Sequence, residues 1–127
     1  MTELDLVVRN ATVVTADETI QSDIGVKDGK IVSLGPNLPA ATEEIDARDK
    51  YVLPGGIDSH VHIEQDSAET GAKTAADFLS TTVSAACGGT TTLIPFVRQE
   101  KGQSLREAVN TYRARPEGKA VIDYALH

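Results

Sequence analysis

Residues 54–62, Pro54-Gly55-Gly56-Ile57-Asp58-Ser59-His60-Val61-His62, decide how the rest of the chain is read. Two of the three histidines in the 127-residue sequence fall here, two positions apart, directly after a Pro-Gly-Gly breaker. In a strand side chains alternate, so His60 and His62 share a face, with Cα atoms roughly 6.6 Å apart, and Val61 turns the other way. Two imidazoles on one face suit a single metal ion. A lone His-x-His is weak by itself, and the flanking residues have to raise or lower that reading.

Downstream of His62 the hydrophobic period changes from two to 3.6. Thr74 is the expected N-cap of a helix, with Asp77 completing a weaker capping box. Phe78, Leu79, Thr82, Val83 and Ala86 form the apolar stripe, and Gly88-Gly89 ends it. The β-branched run from Thr90 to Val97 reads as a strand, with Pro95 at its end or at a bulge. Ser104 and Glu107 make a full capping box for a second helix, whose stripe is Leu105, Ala108, Val109 and Tyr112 and whose stop is Pro116-Glu117-Gly118. Residues 120–126 read as a third strand, with His127 at its tip. Alternation of strand and helix implies parallel strands with right-handed crossovers, and ligands in such folds sit beyond the strands' C-terminal ends. The His pair, the Pro95–Arg98 region and His127 all fall at that end, which strengthens the metal reading.

Upstream, residues 4–53 read as short strands and turns. Leu6–Val8 and Thr12–Val14 are expected as separate strands broken at Arg9-Asn10-Ala11. Asp28-Gly29 between two apolar runs signals a hairpin with a type I′ turn. The whole segment reads as a small antiparallel sheet, part of a sandwich completed by other residues. The balance of 12 basic and 19 acidic residues gives −7 and argues against a general nucleic-acid footprint. One cysteine excludes an intrachain disulfide framework and fits a reducing compartment; Cys87 is expected as a buried packing residue. Residues 1–6 lack the pattern of a signal peptide, and no apolar run has the length of a membrane span, so a cytoplasmic location is expected.

The quoted stretch resembles the start of the barrel in the amidohydrolase superfamily. So do Ile45-Asp46-Ala47 and Val52-Leu53 before it. Within the superfamily the hydantoinase/dihydropyrimidinase branch is the most similar. Thr74-Ala75-Ala76-Asp77-Phe78, Ser84-Ala85-Ala86 with Gly88-Gly89-Thr90-Thr91-Thr92, and Asp123-Tyr124-Ala125-Leu126-His127 also look like that branch. One departure is Asp49, where the family usually has Gly; Asp tolerates the left-handed conformation better than most residues. The resemblance implies an α/β fold: the first three strands and two helices of a TIM-type (β/α)8 barrel (54–127), preceded by part of a small β-sandwich domain (1–53). It implies hydrolysis of small cyclic amides or imides, opening a hydantoin or dihydropyrimidine ring by a metal-activated hydroxide. It also implies two divalent metal ions in the full-length parent, zinc or alternatively manganese or cobalt, and a homo-oligomeric parent, tetramer or dimer. His60 and His62 are then metal ligands. Asp58 either orients a ligand from behind or forms a structural hydrogen bond. The remaining ligands and the catalytic groups are expected on later strands, so no catalytic residue falls within this chain, and neither Lys101 nor Lys119 is promoted. Neither nucleic acid nor membrane is an expected partner.

Other candidates have blander readings. His127 is either a rim residue on the substrate side or a frayed end. Glu64, Asp66 and Glu69 fit a solvated acidic loop better than a metal or substrate contact. Arg98 reads as a surface arginine, and Thr90-Thr91-Thr92 as β propensity rather than a nucleophile. Two alternatives to the enzyme are a non-catalytic dihydropyrimidinase-like assembly protein and a small His-x-His metalloprotein of cupin type. Retention of both histidines counts against the first. Cupins continue as strands and place a Glu soon after the second His, whereas here a helix follows.

Overall fold

The computed structural model describes residues 4–65, 67 and 70–127, and the chain divides into two compact units, Met1–Pro54 and Gly55–His127. The acidic positions Asp66 and Glu69 lie outside the described residues.

The first unit is one mixed sheet of β1 (Leu4–Val14), β2 (Thr19–Lys27), β3 (Lys30–Gly35), β4 (Ala41–Asp46) and β5 (Tyr51–Val52). Its order is β3-β2-β1-β4, with β5 following β4 along β1. The pairs β1–β2 and β2–β3 are antiparallel, as expected, but β4 and β5 run parallel to β1. The sheet is therefore not purely antiparallel. The chain from β3 crosses to the far edge instead of turning back on itself, and Arg9 holds this crossing through the carbonyls of Leu38 and Pro39. Asp28 and Gly29 have φ of 50° and 71°, the signs a type I′ turn demands. Asp49, at φ 60°, occupies the left-handed turn before β5. The expected break at Arg9-Asn10-Ala11 is instead a bulge within one continuous strand: Asn10 has φ 59° and the register shifts between Val8 and Ala11. Ala11, Val13, Ile24 and Ala47 form the buried cluster of this unit.

The second unit has the expected order: β6 (Gly56–Val61), α1 (Phe78–Cys87), β7 (Thr90–Pro95), α2 (Leu105–Arg113) and β8 (Asp123–Tyr124). The three strands are parallel, in the order β6-β7-β8. Close approach of the chain before β6 to β7 demands glycine: a Cβ on Gly55 would lie 2.1 Å from the Thr91 hydroxyl oxygen. The strand β8 is shorter than 120–126 because its first amides go elsewhere. Ala120 donates to the Pro116 carbonyl and Val121 to the Thr82 hydroxyl, whereas Ala125 and His127 still donate to Leu93 and Pro95.

Helix α1 starts later than expected. Asp77, not Thr74, is the N-cap; its carboxylate accepts the Ser80 N–H at 2.8 Å, and the Ser80 hydroxyl accepts the Asp77 N–H at 3.2 Å. With that start the buried line is Phe78 and Thr82, with Ala85 packed beside them, while Leu79, Val83 and Ala86 are exposed. Cys87 lies off this line and is exposed, contrary to the expected packing role. Helix α2 has the expected Ser104–Glu107 box, and Ala108 and Tyr112 are buried, but Leu105 is exposed and the helix stops at Arg113, before Pro116. Ile63, Phe78, Leu93, Val97, Ala108 and Tyr112 make the core of this unit. No helix among the described residues is long and apolar enough to cross a membrane.

Candidate metal centre

His60 is the penultimate residue of β6 and His62 follows its end, so both leave the C-terminal end of the strand on the same side. Val61 turns away and packs against the Ile63–Phe78 core, as alternation requires. The two rings stand edge to face at 5.0 Å, with Nε2 of His60 and Nε2 of His62 3.1 Å apart. Two nitrogens at ordinary zinc distances and a tetrahedral angle are about 3.3 Å apart. The observed spacing therefore matches the bite of one ion, and both rings are solvent-exposed.

Neighbouring residues fix this pair. The Phe96 ring lies 5.7 Å from that of His60 and 5.5 Å from that of His62. The His127 ring stands 4.8 Å from His60 and 5.3 Å from Phe96. His127 is held in register by its N–H to Pro95 and by the Val97 N–H to its carbonyl. It thus belongs to the imidazole cluster and is not splayed away from it. Asp58 faces the backbone: its Oδ1 accepts the His60 N–H at 3.1 Å. His62 Nδ1 lies 2.7 Å from Gln65 Oε1, and the Gln65 amide donates to the Phe96 carbonyl.

The loop after His62 is tied to both helices. Tyr112 donates its hydroxyl to the Ile63 carbonyl at 2.6 Å, Arg115 donates to the Glu64 carbonyl, and the Glu64 carboxylate accepts the Phe78 N–H at 2.9 Å. Burial raises the Tyr112 phenol above its ordinary pKa, against the lowering effect of the Ile63 bond. Lys119 lies 3.5 Å from the same Glu64 carboxylate. These bonds hold Glu64 at φ 50°, so this acidic residue is a structural link between loop and helix rather than a free loop charge. Arg98 is exposed and pairs with Glu100 at 3.0 Å, in keeping with a surface role. Lys101 and Thr91 are exposed as well.

Gln65 and Phe96 gave no signal in the sequence. A glutamine three residues past a histidine and a phenylalanine thirty-four residues past it carry no pattern until β6 and β7 are paired. Among the described residues no group of three or more His, Cys, Asp or Glu side chains converges to hold a metal ion. The donor set is two imidazole nitrogens, which suits a borderline ion such as zinc, yet a catalytic zinc normally has three protein ligands. The pair fits part of a metal site.

The chain is thus a mixed α/β protein with two imidazoles converging beyond the C-terminal end of a parallel strand. The profile of the amidohydrolase family matches residues 51–121, and that of the urease alpha-subunit N-terminal domain matches residues 1–49. The chain belongs to the amidohydrolase family. It is 47% identical over 124 residues to a D-hydantoinase of Rhizobium radiobacter, spanning 98% of this chain and 27% of the relative. A dihydropyrimidinase 2 of Caenorhabditis briggsae is 40% identical, over 97% of this chain and 24% of the relative. A solved D-hydantoinase structure superposes with a TM-score of 0.91 at 47% identity, over 98% of this chain and 27% of that one. The chain thus spans about a quarter of the length of the curated relatives it matches. The continuation of the chain into a helix after the His pair leaves no support for a cupin-like protein.

Proposed function

We propose that this chain is the N-terminal portion of a cyclic amidohydrolase that opens hydantoin or dihydropyrimidine rings. In this reading residues 1–53 contribute to a β-sandwich and residues 54–127 supply the first three strands and two helices of a (β/α)8 barrel. The observation that carries it is the convergence of His60 Nε2 and His62 Nε2 at 3.1 Å beyond the end of β6. High identity to proteins named hydantoinase and dihydropyrimidinase supports the substrate class.

His60 and His62 would hold a divalent metal, zinc by preference, through their Nε2 atoms. When bound, such a metal supplies Lewis acidity, acidifying water towards neutrality and polarising an amide carbonyl. The chain's own residues bind and orient. Asp58 steadies His60 through its backbone N–H, and Phe96 shields one side of both rings. The further ligands, a second metal and the group that handles the proton belong to later strands of the parent, so no catalytic residue is assigned here. A homo-oligomeric parent is part of the same reading and rests on the resemblance. A cytoplasmic location is the default in this reading, and the single cysteine fits it.

In the full-length parent, His60→Ala and His62→Ala are each expected to abolish turnover of dihydrouracil or a 5-substituted hydantoin. Each is also expected to lower bound metal by elemental analysis. Unchanged metal content in both variants would overturn the ligand assignment.

A further inference from the structure

We infer that Gln65 is a positioning residue that fixes the tautomer of His62 and thereby presents its Nε2 lone pair to the metal. This rests on the metal-site reading above. The chain of constraint starts at a main-chain carbonyl. Phe96 C=O can only accept, and it receives the side-chain amide of Gln65. The Nε2 of Gln65 therefore points at Phe96, because the flipped amide would set two oxygens against each other. That leaves Gln65 Oε1 as the atom 2.7 Å from His62 Nδ1. An amide oxygen accepts only, so His62 Nδ1 must carry the proton. In a neutral imidazole the other nitrogen then holds the lone pair, and His62 Nε2 is the atom that faces His60 Nε2 at 3.1 Å.

Phe96 is itself fixed. Its N–H donates to the Val61 carbonyl at 3.0 Å, on the residue between the two histidines. The bonds therefore run from Val61 to Phe96, to Gln65 and back to the His62 ring. A half-buried Gln65 closes this loop with two of its amide atoms, which no apolar side chain of the same length can do. Partners of this kind on the far nitrogen of a ligating histidine set ring orientation, and their removal typically costs 10- to 100-fold in metal affinity. Among the described residues no comparable acceptor faces the far nitrogen of the His60 ring, whose neighbours are the rings of Phe96 and His127.

The test uses the full-length parent and zinc as the probe. In metal-free wild-type protein, nitrogen NMR of the His62 ring is expected to show a protonated Nδ1 and a lone-pair Nε2. A protonated Nε2 would overturn the inference without any variant being made. Gln65→Leu should mix the two tautomers and weaken zinc binding about tenfold in chelator competition. Gln65→Glu loses the donation to the Phe96 carbonyl but retains an acceptor for Nδ1–H, so it should keep the wild-type tautomer and lose less affinity than Gln65→Leu. Unchanged affinity in Gln65→Leu, or equal losses in both variants, would overturn the tautomer role. Should His60→Ala and His62→Ala retain their metal, the site itself fails. The nitrogen measurement made without metal still decides the tautomer separately.

Discussion

Among the described residues of the first unit, Asp23 carries a carboxylate that accepts three hydrogen bonds. It is buried, and its oxygens accept the Asn10 N–H at 2.9 Å, Arg9 at 3.2 Å and the Leu38 N–H at 3.3 Å. The Asn10 bond is the chief cause holding its pKa below the ordinary value; burial opposes it and Arg9 adds to it. A carboxyl lowered by folding contributes stability that is present above its unfolded pKa, near 3.9, and is lost as pH falls through the folded value. Asp23→Asn is therefore expected to lower stability at pH 7 by roughly 1–2 kcal/mol. The gap to wild type should narrow as the pH is taken well below 4 in urea titrations. An equal gap at pH 7 and at pH 2.5 would remove the carboxylate from this account. The same residue explains why Arg9-Asn10 misled as a break. Asn is a turn former, but an acceptor thirteen positions away satisfies its N–H, so the strand bulges and continues. Distant partners of this kind, Gln65 on Phe96 included, leave no local pattern to read.

At the level of elements, types and order were legible, and boundaries less so. Two periodicities, an Asp-Gly turn and a Ser-x-x-Glu box mark the hairpin and α2 in the sequence itself, because each is a short-range physical requirement. The start of α1 was not legible, since Thr74 and Asp77 both qualify and only the fold chooses. It chooses Asp77, whose carboxylate is lowered from its ordinary pKa chiefly by the Ser80 N–H it accepts, and Glu64 takes the next amide at Phe78. Asp77→Ala is expected to lower stability, and Asp77→Asn to lower it much less, because Asn still offers a capping oxygen. Equilibrium unfolding of the parent protein separates the two. Equal losses would mean that the charge and not the cap is what matters. The buried line 78–82–85 follows from that start, which is why Leu79 and Val83 fell on the wrong side of the expected stripe.

On the scale of the whole chain, the second unit leaves much apolar surface in water. Ile57 is 67% exposed, Leu105 62%, Val121 54% and Leu79 48%. Strands β6 and β8 each have only one partner strand among the described residues, so two edges carry unpaired backbone groups. Open edges and exposed apolar side chains favour self-association. The His pair adds the same message chemically, because two imidazoles are fewer protein ligands than a catalytic zinc normally has. The position of the pair was legible, since His-x-His after Pro-Gly-Gly can be placed at a strand end from alternation alone. The completeness of the site was not, because ligands on other strands are set by topology rather than by spacing. A protein of residues 1–127 produced alone, with zinc supplied, is therefore expected to associate in sedimentation velocity and to bind an apolar-surface dye. It should not hydrolyse dihydrouracil or a 5-substituted hydantoin, while the full-length parent assayed alongside does. A monodisperse 127-residue protein with clear turnover would show that this unit satisfies its edges and its metal without further strands, and would sink the reading of the His pair as half a site.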